Sequence, residues 1–144
     1  MWVAARSLAV LCAALVVATV ACARGRPLPL TDLDAITRIT VRSRTADTDH
    51  VIRDPRRIRN VVRAVRSLDN GWEKSWHTLP AGSVAALFYH DTTLVGVLWI
   101  GPDFVIARGD SVTLIRSTRL DEWAPLAAAL ELPVKVIPVP PRDS

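Results

Sequence analysis

The spacing of apolar positions changes several times along this chain, and each change marks an element. Residues 8–21 form a run of Leu, Val and Ala unbroken by charge. Over residues 36–44, Ile39 and Val41 alternate with Arg38, Thr40 and Arg42, the period of two that predicts a half-buried strand. A polar turn at 45–47 leads to a second short strand near 50–53, and the two read as a hairpin. The period then becomes helical: Ile58, Val61, Val62, Val65 and Leu68 fall on one face. Asp54 is a suitable cap for that helix and Pro55 suits its first turn. Asp69-Asn70-Gly71 supplies a stop, because Asn and Gly tolerate left-handed geometry.

After a loop at 72–82, strand signals crowd together at 84–90, 94–100, 103–108 and 111–116. Asp91-Thr92-Thr93, Gly101-Pro102 and Gly109-Asp110 separate them, which predicts an antiparallel meander. The run 94–100 is almost wholly apolar, as expected of a central strand covered on both faces. A second helix is expected from about 121 to 132, burying Trp123, Leu126, Ala127 and Leu130, with Pro125 in its first turn. The order ββαββββα predicts an α+β fold: two layers, an antiparallel sheet with about two helices on one face. The other sheet face must then meet solvent, a membrane or a partner.

The first segment carries a destination. Arg6 precedes the apolar run and Cys22 closes it, followed by Arg24, Gly25, Arg26 and Pro27. The run has the length of a signal-peptide core and is shorter than the ~20 residues of a membrane span. Ala18-Thr19-Val20-Ala21-Cys22 resembles the lipobox of bacterial lipoproteins, although Thr19 stands where that family favours Leu. The resemblance covers the signal only. It implies that Cys22 becomes the first mature residue and carries a diacylglycerol on its thiol. It also implies outer-membrane sorting in a two-membrane organism, because Ala23 is not the aspartate of inner-membrane retention. Ala21-Cys22-Ala23 offers a competing cleavage site that would release a soluble protein starting at Arg24. Cysteine usage does not separate the two, since Cys12 leaves with the signal and no disulfide forms either way.

The expected organisation is a signal peptide at 1–21, a tether at 22–34, one domain at 35–132 and an extended Pro-rich tail at 133–144. Pro27 and Pro29 discourage regular structure in the tether. A free tether from 23 to 33 would let the domain stand up to about 35 Å from a membrane. The chain carries 18 Lys and Arg against 14 Asp and Glu. A mild positive balance in an exported protein favours anionic lipid or wall polymer over nucleic acid.

Three constellations bear on function. Arg56, Arg59, Arg63 and Arg66 lie along the helix face opposite its apolar stripe, within roughly 80° of one another. They suit contact with an anionic surface, or form a plain solvated helix face. Trp72 and Trp76 stand four apart in a loop. They either stack on a ligand or anchor at an interface, or fold back to close the core. His90-Asp91 lacks a positioned nucleophile, His50, His77 and His90 have no metal-ligand spacing, and Ser83 lacks the glycines of a nucleophile elbow. No cofactor or metal is therefore expected. The reading is an exported, lipid-anchored, non-enzymatic binding domain of the cell envelope, its partners the membrane through Cys22 and an envelope protein or anionic component. A secreted soluble inhibitor-type binder is the alternative, and an envelope hydrolase a distant third.

Overall fold

The computed structural model describes residues 25–44, 49–75 and 78–132. The expected signal peptide at 1–21, Cys22, Trp76, His77 and the expected tail at 133–144 lie outside the described residues. Strands β1 (Arg38–Ser43), β2 (His50–Ile52), β3 (Val84–His90), β4 (Thr93–Ile100), β5 (Phe104–Arg108) and β6 (Thr113–Ser117) form one sheet in the order β2-β1-β3-β4-β5-β6. Every neighbouring pair is antiparallel. Helix α1 (Pro55–Arg66) joins β2 to β3, and α2 (Leu120–Ala129) follows β6. The fold is thus the α+β arrangement that the apolar spacing predicts.

Local chemistry sets the helix ends. The Asp54 carboxylate accepts the Arg57 N–H at 2.9 Å, which satisfies one otherwise orphaned donor. Ile58, Val61, Val62 and Val65 of α1 are buried, and Gly71 takes the left-handed conformation just beyond, at φ 79°. For α2, the Arg119 N–H donates to the Glu122 carboxylate at 2.9 Å. That cap starts the helix early enough to put Pro125 in its second turn rather than its first. Proline has no N–H to give the Asp121 carbonyl four residues back, and the helix ends after ten residues.

Both helices pack on the same face of the sheet. Ile39, Ile52, Phe88, Leu98 and Val105 point inward and share one core with Val61, Val65, Trp123 and Leu126. Antiparallel partners lie on a common face, so the register also defines the outer side. There Ala85 stands opposite Trp99, Trp99 opposite Ile106, and Ile106 opposite Ile115. Val97 and Ile106 are buried yet belong to no part of the inner core. β4 is therefore covered on one face by helices and on the other only in part, since Trp99 remains half-buried.

The expected tether is a correction. Arg26 bridges Trp72 through two backbone hydrogen bonds of 2.9 and 3.3 Å, and the Leu28 N–H donates to the Asp69 carbonyl at 3.2 Å. Leu30 and Leu33 are buried in the core. Prolines forbid regular structure here but do not prevent packing, and the intervening leucines fill the end of the helix layer. Two glycines make room for this segment. A Cβ at Gly109 would lie 2.1 Å from the Pro29 carbonyl oxygen, and one at Gly96 would lie 2.3 Å from Leu30 Cδ2. The domain thus begins near Arg26, not at 35. Next to it, Glu73 and Ile115 exchange hydrogen bonds of 2.8 and 2.9 Å, which covers the β6 edge that would otherwise offer unpaired backbone groups.

Candidate functional site

The helix-free sheet face carries a broad concavity. Ala85, Trp99 and Ile106 form its floor, and the chain from Leu79 to Ser83 rises as one wall. Arg42, Ser43 and Arg44 at the end of β1 form a rim. The cavity volume is about 550 Å³, within the range of small-ligand sites. Two strand-end contacts hold the wall in place: the Arg44 N–H donates to the Ser83 carbonyl at 3.0 Å, and the Ser83 N–H to the Ile100 carbonyl at 2.8 Å. Gly82 lies against β4, where an added Cβ would come 3.0 Å from Trp99 Cβ. Leu79 on the wall is 38% exposed, unusually open for a large apolar side chain.

The rim cations differ. Arg42 gives two hydrogen bonds to the Asp49 carboxylate, at 3.0 and 2.8 Å. The hydrogen-bonded Arg42 guanidinium holds the Asp49 carboxyl below the usual carboxylate range. Arg44 is exposed, and no ion pair joins it to another described residue. Farther along β1, Arg38 stacks over the Tyr89 ring at 4.1 Å, a cation–π contact that occupies its charge.

The residues singled out in the sequence separate on the structure. Trp72 is fully buried, and its indole N–H donates to the Leu68 carbonyl. A ligand-stacking or interfacial role for Trp72 is therefore overturned: its ring closes the core where α1 ends, as a domain of this size requires. Trp76 lies outside the described residues. Arg56, Arg59, Arg63 and Arg66 are exposed along α1. Asp34 interrupts the stripe, pairing with Arg66 at 2.7 Å, and that hydrogen bond lowers the Asp34 carboxyl below its ordinary range. Arg57 turns to Glu131, beside His50. His90 and Asp91 are both exposed, with 3.7 Å between imidazole and carboxylate.

Sequence reading did not find the groove. Its floor comes from three strands and its wall from a loop, so only the register brings Ala85, Trp99 and Ile106 together. A signal was present, because apolar residues occupy both phases of 84–90 and 94–100. Compared with known proteins, the chain matches no family model, no curated protein and no solved structure.

Proposed function

We propose that this chain is an exported, lipid-anchored binding domain of the cell envelope that presents the helix-free face of its sheet to its ligand. The observation that carries the binding role is the groove over Ala85, Trp99 and Ile106. Both helices lie on the other side, so nothing within the helix layer closes it. The lipobox-like segment ending at Cys22 carries the anchoring role.

Anchoring and packing together favour one orientation. Arg26 is pinned to Trp72, so the link from Cys22 reaches at most about 14 Å. The domain therefore sits close to the membrane rather than standing off it. The same end of the molecule holds the last turn of α1, because the Leu28 N–H meets the Asp69 carbonyl. Arg59 and Arg63 extend from that end along the exposed helix face, where each contributes about 1 kcal/mol against anionic headgroups. The helix layer then faces the lipid and the groove faces away.

Photo-crosslinking in the producing cells tests the binding face. A benzophenone side chain replacing Leu79 or Ala85 is expected to give adducts of defined mass. The same group at Asp121, exposed on α2 in the layer turned toward lipid, is expected to give membrane phospholipid adducts only. Adducts other than phospholipid confined to Asp121 would assign binding to the helix layer and overturn this reading.

A further inference from the structure

The chemistry of the groove selects among ligand classes. Its floor and wall offer Ala85, Trp99, Ile106, Leu79 and Pro80, and their side-chain hydrogen-bonding groups are the Trp99 indole and the Ser83 hydroxyl at the base of the wall. The strands beneath, β3, β4 and β5, are interior to the sheet. Their ladder groups are already paired, so an extended peptide would find no backbone partners there and would bury its own amides at a cost. A sugar would bring many hydroxyls to a floor and wall whose side chains offer two polar groups, the Trp99 indole and the Ser83 hydroxyl. An unbranched hydrocarbon would not, because it carries no polar group along its length. At the rim, Asp49 occupies Arg42, whereas Arg44 stands exposed beside the groove with no carboxylate partner among the described residues. One apolar trough ending at one available cation matches a molecule with one tail and one anionic head.

We infer that the groove binds a free single-chain anionic amphiphile, a carboxylate with an unbranched alkyl tail, its tail over Trp99 and Ile106 and its head at Arg44. This inference rests on the helix-free face being the binding face. A volume of about 550 Å³ suits a ligand of that size. The tail supplies affinity by leaving water, and the head fixes its direction.

The test is calorimetric titration of the purified full chain carrying Cys22→Ser, so that no acyl group of its own competes. Octanoate, decanoate and dodecanoate are the probes. Affinity is expected to rise by up to about four-fold per added methylene. Arg44→Gln should weaken decanoate about five-fold, as expected for an exposed charge pair, while decanol binding stays unchanged. Ala85→Phe, which fills the floor, should abolish binding of both. Leu79→Asp, on the exposed wall, should weaken both without altering the melting temperature, which covers the case in which Ala85→Phe fails to fold. Absence of decanoate binding to the Cys22→Ser chain, or binding indifferent to both Ala85→Phe and Leu79→Asp, would overturn the inference. Adducts at Leu79 with no decanoate binding would keep the binding face and reject this ligand class. An equal loss of decanoate and decanol on Arg44→Gln would reject the head-group assignment.

Discussion

Trp72 sits where the end of α1, the N-terminal segment and the covered edge of β6 meet. It bonds Arg26 through its backbone and Leu68 through its indole. Trp72→Ala is expected to cost about 3–5 kcal/mol, because a ring of this volume leaves a cavity that the surroundings cannot fill. Trp72→Phe keeps most of the packing but leaves the Leu68 carbonyl without its donor, for a loss of about 1 kcal/mol. Urea denaturation measures both, and a Trp72→Ala protein as stable as the parent would contradict the burial. Charge at the surface makes a different prediction. Asp34 is lowered by its hydrogen bond to Arg66, and Asp49 by that to Arg42. A lowered carboxyl supports the fold at pH above its unfolded value, and that support disappears as pH falls through the folded value. In a carboxyl-resolved NMR titration, Arg66→Gln should return Asp34 upward toward the ordinary range and leave Asp49 in place. An Asp34 titration that does not move would remove the pair.

At the scale of elements, the N-terminal segment and α1 carry the consequences. Residues 26–35 are part of the domain because Leu30 and Leu33 are buried and two glycines accommodate the chain. Gly109→Ala is expected to push Pro29 away, since its Cβ would meet that carbonyl oxygen at 2.1 Å. Chymotrypsin should then cleave after Leu30, which is followed by Thr31, well before it cuts the parent there, and equal cleavage would mean the segment is not held. On α1, Arg59→Glu with Arg63→Glu should lower binding of the Cys22→Ser chain to anionic vesicles by more than ten-fold, two reversals at about 1 kcal/mol or more each. Unchanged binding would return the stripe to an ordinary solvated face. The periodic elements were legible because their signals are local: alternation in β1, helical spacing and an Asp-Pro start in α1, turn residues between β3, β4, β5 and β6. The packed proline segment was not, since irregular backbone gives no period to read. Its leucines at 28, 30 and 33 were the available sign. Pro125 misled for a related reason, because the cap that sets its position depends on the Arg119–Glu122 contact.

For the molecule as a whole, the two layers divide the work. One sheet face and both helices build the core, and the remaining sheet face holds the groove. The groove was illegible in sequence because its parts lie on β3, β4, β5 and the loop before β3, and its rim on β1. Arg42 and Asp49 were equally hidden as partners, joined only by the hairpin's closure. The proposed anchoring at Cys22 would give this arrangement its direction in the cell: a short link, a basic helix layer toward lipid and the groove toward the envelope space. That anchor is the central claim, and intact mass spectrometry of the protein from the membrane fraction tests it most directly, beside a Cys22→Ser control. The account predicts a mass equal to residues 22–144 plus acyl chains, absent from the control. A bare chain beginning at Arg24 and recovered outside the membrane would contradict it.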